Sequence, residues 1–338
     1  MSSQERRPLL ENRLPLPNSS AQDHPIFLRA CHSPWPFVSQ TALVYLRGVV
    51  FSYLTALAGM LLWYKFKYEY PKDEKTSWAI LFGFATFAYV LLWLYHLVTF
   101  VWSLTHLYYS DLDDHDRSWE SAVLKKLSPP HQTPYSRKRF YFSLFYTVTH
   151  VFVLINSFIY WAILVPQGYG HLPEGKGEGG GDEEPASPSS AEEFFGNGWF
   201  QPFCIINLYI VTVLIAFFEI FVLNSIRRQI PVPSHTFAIV LFLSAYLGWA
   251  AFGKLLTGVY PYFWMDPEVI KKTEYIAAYV TGFVGLGPTF FAFMYGLIGM
   301  RENMTKKDGG KGSQAPPPQP QSQQGISATP TPGPEESH

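Results

Sequence analysis

Residues 84–104 read FATFAYVLLWLYHLVTFVWSL and contain no Asp, Glu, Lys or Arg over a length that can cross a membrane. A bilayer core about 30 Å thick requires about 20 consecutive apolar residues in an α-helix. The run shows no alternation of apolar and polar residues, and it is longer than the roughly 10 residues of a membrane β-strand. It therefore predicts a transmembrane helix.

Five more stretches have a similar length and are mostly apolar, and three of them contain a single charged residue, so the sequence predicts six spans. The predicted spans are Leu43–Tyr64, Trp78–Leu104, Phe140–Val165, Pro202–Leu223, Thr236–Leu256 and Tyr275–Met300. The second of them is the stretch quoted above, extended to its apolar limit at Trp78. Helices satisfy their backbone hydrogen bonds internally, as a lipid environment requires. The predicted fold class is all-α, a polytopic membrane protein with six transmembrane helices.

Composition excludes several classes of function. The chain of 338 residues is 48% hydrophobic and 15% charged, whereas soluble domains contain about 25% charged residues. A formal net charge of −1 gives no basic surface for nucleic acid. Cys31 and Cys204 have no spacing typical of a metal site or a disulfide framework. The sequence predicts no nucleic-acid partner, no metal and no cofactor, and it leaves the oligomeric state open.

The distribution of charge predicts the topology. Lys and Arg near span ends are retained in the cytosol, and most of them flank the side that holds both termini. The acidic loop at residues 173–193 is therefore predicted to be lumenal or extracellular, and its composition predicts disorder. The predicted layout is a cytosolic tail at 1–42, a membrane domain at 43–300 and a disordered cytosolic tail at 301–338.

A sorting signal is predicted in the first tail. Residues 5–10 read ERRPLL, in which Glu5 stands four positions before the pair Leu9 and Leu10. This pattern resembles the acidic dileucine signals that clathrin adaptors bind, and such signals direct proteins to lysosomes or vacuoles. A clathrin adaptor is therefore a predicted partner, with an unstructured tail as the alternative interpretation.

Three ionisable residues lie one to two turns from predicted span ends, namely Arg47, Glu219 and Lys254. At that depth a long side chain can extend to the interface and keep its charge in water. Arg47 and Glu219 share the predicted cytosolic level and can instead pair with each other. Lys254 lies at the lumenal end and cannot reach either residue.

Two histidines lie deeper. His96 and His150 are both about 12 to 15 Å from the cytosolic ends of their predicted helices, at 1.5 Å per residue. Intramembrane ionisable residues are candidates for function, so the pair predicts an acid and base or a ligand-lining site in a bundle cavity. The alternative is ordinary hydrogen bonding between helices.

Candidate nucleophiles accompany these histidines. Thr147 and His150 are three residues apart and therefore adjacent on one helix face, which makes them the best-placed nucleophile and base. Thr149 is a further candidate on that helix. Thr86 is ten residues, or about 15 Å, from His96 along one helix, so the two cannot make direct contact.

Short motifs give the chain a resemblance to a known family. They lie in four of the six spans and in the loop after span five, and their residues are Arg47, Trp78, Asn207, Glu219, Tyr246, Trp249, Gly258, Tyr260 and Pro261. With these motifs the chain resembles the androgen-induced membrane-protein family. That family comprises six-span proteins described as threonine hydrolases of fatty-acid esters of hydroxy fatty acids. The resemblance implies the same six-helix fold and a location in the endoplasmic reticulum.

The family's catalytic pair is not retained. The family's nucleophilic Thr stands four residues after the tryptophan that corresponds to Trp78. Its His stands four residues after the asparagine that corresponds to Asn207. The matching positions hold Phe82 and Val211, and neither side chain can act as a nucleophile or a base.

The sequence therefore predicts an endomembrane protein, of the endoplasmic reticulum or of the vacuole or lysosome, that binds a membrane lipid or acyl chain without the family reaction. One alternative is a lipid ester hydrolase whose nucleophile has moved to Thr86, Thr147 or Thr149, with His96 or His150 as base. A second alternative is a small proton-linked transporter in which the two histidines relay protons.

Overall fold

The structure is a computed structural model that describes residues 26–64, 78–109, 119–130, 137–168 and 200–305. Its α-helices are α1 (Ile26–Ala30), α2 (Gln40–Tyr64), α3 (Phe84–Tyr108), α4 (Trp119–Leu127), α5 (Arg137–Ile159), α6 (Phe200–Ile206), α7 (Thr212–Phe218), α8 (Val232–Thr257) and α9 (Thr273–Thr305). Turns of 3₁₀-helix occupy Ala79–Phe82 and Phe263–Met265, and π-helical turns occupy Tyr160–Leu164, Asn207–Val211 and Glu219–Leu223. Within the described ranges no β-strand occurs.

The predicted fold class is confirmed. Six helical segments are long and apolar enough to cross a membrane, and they are called spans one to six: Gln40–Trp63, Phe84–Tyr108, Arg137–Leu164, Pro202–Leu223, Val232–Thr257 and Thr273–Thr305. Most observed bounds lie within a few residues of the predicted ones. The six segments indicate an integral membrane protein.

Span two begins later than predicted. The predicted start at Trp78 covers a 3₁₀ turn that ends at Gly83, whose extended backbone (φ −71°, ψ 139°) separates the turn from α3. Two aromatic residues of span five hold this turn. Tyr246 donates a hydrogen bond to the Phe82 carbonyl at 3.0 Å, and Trp249 donates one to the Leu81 carbonyl at 3.2 Å.

The packed part of the membrane domain extends into both predicted tails. Helix α1 lies inside the predicted tail at 1–42, yet Phe27 is only 2% exposed and Ala30 is fully buried. The Trp35 indole also donates a hydrogen bond to the Phe221 carbonyl at 2.7 Å. At the other end, α9 continues to Thr305 and buries Arg301. The remaining parts of both tails and the loop at 173–193 lie outside the described residues.

The ends of several spans meet on one side of the bundle. Arg47 of span one donates a hydrogen bond to the Leu223 carbonyl of span four at 2.7 Å. Arg301 of span six donates one to the Ile220 carbonyl at 2.8 Å. The start of span one and the ends of spans four and six therefore lie together, and this side is called the Gln40 end.

The opposite half of the bundle is packed with aromatic rings. The Phe84 ring lies 5.1 Å from Phe152, 4.8 Å from Tyr246 and 5.4 Å from Phe283, measured between ring centroids. These four residues come from spans two, three, five and six. Offset and edge-to-face arrangements of this kind add about 0.5–1.5 kcal/mol per pair to area burial. The aromatic core therefore joins four spans by direct packing.

Close helix packing makes Gly253 a point where the fold can be tested. A Cβ atom at Gly253 would lie 2.4 Å from the Phe82 ring, whereas one at Gly248 on the same helix would have no neighbour within 4 Å. We expect Gly253→Ala to destabilise the protein by about 1–3 kcal/mol through overpacking. Gly248→Ala is the matched control and should leave the melting temperature unchanged or slightly raised. Equal thermal unfolding of the two variants in detergent would contradict the packing of Phe82 on span five.

Candidate functional site

A fully buried ion pair lies between spans one and four. Arg47 Nη2 lies 3.1 Å from Glu219 Oε1, and neither side chain is exposed. The same nitrogen donates hydrogen bonds to the Ala30 carbonyl at 2.6 Å and to the Leu223 carbonyl at 2.7 Å. The expectation that these two residues extend to the interface is wrong, because each ends inside the bundle. The alternative expectation, that they pair, is what the structure shows.

The Glu219 carboxylate gathers two further donors. Tyr95 of span two donates its hydroxyl hydrogen to Oε1 at 2.7 Å. Asn224 donates to the same oxygen at 3.1 Å and to the Glu219 carbonyl at 2.9 Å. Hydrogen bonds to an ionised acceptor contribute about 1.5–3 kcal/mol each, so the carboxylate is held in its charged form by one cation and two neutral donors.

Arg301 of span six closes the cluster from the other side. Its Nη1 donates to the carbonyls of Ile220 and Asn224 at 2.8 and 2.9 Å and to the Asn224 side chain at 2.9 Å. Its Nη2 donates to the Ile226 carbonyl. The Arg301 guanidinium therefore donates hydrogen bonds to carbonyl groups at and just after the end of span four.

The position of these charges follows from the helix they surround. The last carbonyls of a helix have no partner within it, and the helix dipole places partial negative charge there. Span four ends inside protein, where unpaired carbonyls are costly. Arg47 and Arg301 supply the missing donors. The two arginines therefore bind both a side-chain carboxylate and the C-terminal end of a buried helix.

The two predicted histidines lie beside this cluster. His96 and His150 are both fully buried, and both interact electrostatically with Glu219. The His150 ring centroid is 5.0 Å from that of Tyr95. His150 Nδ1 lies 2.7 Å from the Tyr146 carbonyl, and because a carbonyl only accepts, Nδ1 carries the hydrogen. Its Nε2 and both His96 nitrogens have no hydrogen-bond partner in the described part of the chain.

The predicted nucleophiles are not aligned with these bases. Thr147 donates its hydroxyl hydrogen to the Ser143 carbonyl at 2.8 Å, and the structure gives it no hydrogen bond to His150 within the described ranges. Thr149 is fully buried, and its hydroxyl has no partner among the same residues. Thr86 is half-buried near the start of span two, far along the helix from His96.

The arrangement of Glu219 and the histidines bears on metal binding. Glu219 supplies a carboxylate beside the two histidines, but its Oε1 is bound by Arg47. Across the described residues, no group of three or more His, Cys, Asp and Glu side chains is arranged to hold a metal ion.

The family-motif positions lie mainly in the opposite half of the bundle and serve packing. The Phe82 ring, at the position of the family's Thr, lies 5.0 Å from the Trp249 ring between centroids. Val211, at the position of the family's His, ends a π-helical turn that begins at Asn207. The Asn207 side chain accepts a hydrogen bond from Tyr53. Trp78 is 44% exposed at the start of the turn before span two.

The motif at the end of span five forms a helix cap. Gly258 has φ +80°, a left-handed conformation that favours glycine. The Lys254 ammonium donates to the Gly258 carbonyl at 2.6 Å and lies 4.9 Å from the centre of the Tyr260 ring. Pro261 follows in the partly buried loop. As expected, Lys254 lies away from the charged cluster.

An apolar groove lies on the outer surface, separate from the cluster. It has a volume of about 450 Å³ and runs between spans one and two. Span one contributes residues from Thr41 to Ser52, including Gly48, and span two contributes Phe100 and Tyr108. A Cβ at Gly48 would lie 3.2 Å from the Phe100 ring, so glycine lets this ring of span two pack closely against span one.

Comparisons with protein-family models, with curated proteins and with solved structures return no match for this chain. The resemblance to the androgen-induced membrane-protein family therefore stays a prediction from motifs.

Tyr95, Asn224 and Arg301 were not predicted as site residues. The sequence places Arg301 in the cytosolic tail, and neither a Tyr in the middle of an aromatic span nor an Asn after a span end gives a pattern of its own. The signal that could have found Arg301 is its proximity to the apolar limit of span six, the same signal that singled out Arg47. The predicted sorting residues Glu5, Leu9 and Leu10 lie outside the described residues.

Removing one partner of the buried ion pair should be strongly destabilising. Arg47→Met leaves the Glu219 carboxylate buried without its cation, and such changes cost about 3–5 kcal/mol. Adding Glu219→Gln should recover part of that loss. Thermal unfolding can be followed with a thiol-reactive dye, because Cys31 and Cys204 are both buried.

The control is a second pair that is partly exposed. Arg228 Nε lies 3.0 Å from Glu302 Oε2, with 46% and 19% of the two side chains exposed. Exposed pairs contribute about 0–1 kcal/mol, so Arg228→Met should change the unfolding temperature little. Equal effects of Arg47→Met and Arg228→Met would show that the buried pair has no special role.

Proposed function

We propose that the protein binds the acyl chain of a membrane lipid in the groove between spans one and two, in an endomembrane, and does not hydrolyse it. The observation that carries this proposal is the groove itself. Ligand sites have volumes of about 300–1,000 Å³ and mostly apolar walls, and this groove, at about 450 Å³, falls in that range.

The groove has the position that an acyl chain requires. Tyr45 and Val49 line it and are 69% and 67% exposed on the outer surface of the bundle. From Thr41 to Ser52 it follows eleven residues of helix, or about 16 Å. That is about half of the 30 Å hydrocarbon core. The groove therefore matches one leaflet and begins at the Gln40 end.

Its residues also change in character along its length. Tyr45 and Tyr108 lie toward the Gln40 end, and tyrosine is enriched at the level of lipid headgroups. Gly48, Val49 and Phe100 form the deeper apolar walls. A lipid with its headgroup at the Gln40 end and its chain along Phe100 fits this order.

The bundle interior offers less support as a lipid site. The motif residues in the aromatic half, Phe82 and Tyr246 among them, form ring contacts and hydrogen bonds that pack the spans together. A Cβ at Gly287 would lie 2.7 Å from Leu243, which shows how closely spans five and six approach. A surface groove is therefore a better candidate than an internal cavity.

Binding is favoured over turnover because no activated nucleophile is present at the predicted positions. A Thr hydroxyl requires an adjacent base, and the Thr147 hydroxyl is bonded to its own helix. The proton-linked transporter is less well supported, since Arg47 and Arg301 place two positive charges against the single negative charge of Glu219. An additional proton on His96 or His150 would increase that excess.

Location and partner remain part of the proposal. The cationic residues near the Gln40 end favour a cytosolic orientation of this side. In that orientation the predicted dileucine pattern is accessible to a clathrin adaptor. The membrane is then that of the endoplasmic reticulum, by family resemblance, or of the vacuole or lysosome, by the sorting pattern.

Lipid binding can be tested with a phospholipid that carries a photoactivatable diazirine on its acyl chain. In nanodiscs, we expect more adducts on peptides 41–52 and 100–108 than on the exposed face of span five at Phe237 and Leu241, which are 69% and 56% exposed. Val49→Trp should fill the groove and reduce the adducts on those two peptides.

The matched control is Val90→Trp, the same substitution at an exposed position of span two that does not line the groove. It should leave the adduct pattern unchanged. Adducts spread evenly over all lipid-facing helices would contradict the proposal.

The absence of hydrolysis makes a separate prediction. A fluorophosphonate probe should not label the purified protein, and a panel of fatty-acid esters should be recovered intact by mass spectrometry after incubation. Thr147→Val and Thr149→Val should behave like the unmodified protein. Turnover that is lost in Thr147→Val would instead support the hydrolase alternative.

A further inference from the structure

Buried polar atoms without partners gather around Tyr95 and Glu219. Among the described residues they include Glu219 Oε2, Arg47 Nε and Nη1, both ring nitrogens of His96, His150 Nε2 and the Tyr146 hydroxyl. Each of these five side chains is fully buried. The Tyr146 hydroxyl lies near Asn224 without reaching hydrogen-bond geometry.

These atoms belong to one place in the bundle. Arg47 and Tyr95 both bind Glu219 directly. The Tyr146 ring centroid is 4.5 Å from that of His150 and 5.7 Å from that of Tyr95. The side chains come from spans one, two, three and four, so no single helix could bring them together.

Leaving such atoms unbonded is costly. An unsatisfied buried donor or acceptor costs about 1–3 kcal/mol, and the total stability of a domain is about 5–15 kcal/mol. Seven such atoms without partners would therefore cancel most of the free energy of unfolding of the protein. In folded proteins, about 90% or more of buried polar groups have a protein or water partner. A hydrogen-bonding ligand at this position resolves the conflict.

The unpaired atoms define the character of that ligand. Arg47 Nε and Nη1 can only donate, and Glu219 Oε2 can only accept. His150 Nε2 is an acceptor, because Nδ1 carries the hydrogen. A ligand that bonds all of these atoms must both donate and accept, as water does.

The surrounding charges exclude an ionic ligand. Arg47 from span one and Arg301 from span six are positive and Glu219 from span four is negative, while Tyr95, His96, Tyr146 and His150 are the titratable neighbours from spans two and three. The net positive charge repels a cation, and the free Glu219 oxygen repels an anion. A neutral molecule is therefore favoured, with both histidines uncharged.

We propose that Arg47, His96, Tyr146, His150 and Glu219 form an internal water-binding site in the membrane domain. Water at this site bridges the free oxygen of Glu219 and the free nitrogens of Arg47 to the two neutral histidines and the Tyr146 hydroxyl. The site is distinct from the surface groove and does not depend on lipid binding. It gives the buried charges a hydrogen-bonded environment inside an otherwise apolar bundle.

Radiolytic footprinting tests the proposal in the intact protein, because bound water yields hydroxyl radicals that oxidise adjacent side chains even when they are buried. The full chain in nanodiscs is exposed to X-ray pulses, and oxidation rates are read by peptide mass spectrometry. We expect Tyr146 and His150 to be oxidised several-fold faster than their controls.

The controls are residues of the same types with satisfied polar atoms. Tyr246 is 2% exposed and donates to the Phe82 carbonyl at 3.0 Å. His235 is 1% exposed, with Nδ1 2.9 Å from the Pro231 carbonyl and Nε2 2.8 Å from the Ser143 hydroxyl. Oxidation of Tyr146 and His150 at or below the rates of Tyr246 and His235 would overturn the proposal.

A second measurement uses a conservative variant. Glu219→Gln keeps the size of the side chain but replaces an acceptor with a donor next to Arg47. We expect it to lower the oxidation of Tyr146 and His150 while Tyr246 is unaffected. Unchanged oxidation at all positions in a folded Glu219→Gln protein would contradict the assignment of Glu219 to the water site.

Discussion

The buried ion pair between Arg47 and Glu219 is the interaction on which the Gln40 end of the bundle depends. Two charges are removed from water and placed inside a mostly apolar membrane domain, which is costly. Their removal is tolerable because each charge meets more than one partner: Arg47 also binds two backbone carbonyls, and Glu219 also binds Tyr95 and Asn224. The pair thus fixes span one against span four and positions span two beside both.

The two halves of the bundle are held by different physical means. In one half, rings such as Phe84 and Tyr246 pack four spans by shape and dispersion. In the other half, Arg301 and the ion pair bind the end of span four by directed hydrogen bonds. Aromatic packing tolerates replacement of one ring by another of similar shape. A buried charged network, in contrast, is stable only when nearly every polar group has its partner. The polar half therefore restricts the arrangement of the helices more tightly.

The separation of groove and cluster bears on function. The groove between spans one and two is open to lipid and lined by residues such as Gly48 and Phe100, whereas the charged cluster is sealed inside. Span one contributes to both, with Gly48 toward the groove and Arg47 toward Glu219. A single helix therefore links the proposed lipid site to the internal polar network. The histidines belong to the sealed site, away from the groove.

Length and apolar composition alone established the six spans, because a helix that crosses lipid must be long and must satisfy its own backbone. The pairing of Arg47 with Glu219 was foreseeable from their shared depth, but their burial was not, since the same depth allows both charges to reach water. Arg301 and Tyr95 joined the site only through tertiary structure. Which side chains meet depends on how the helices rotate and pack, and the periodicity of a uniformly apolar span does not encode that rotation.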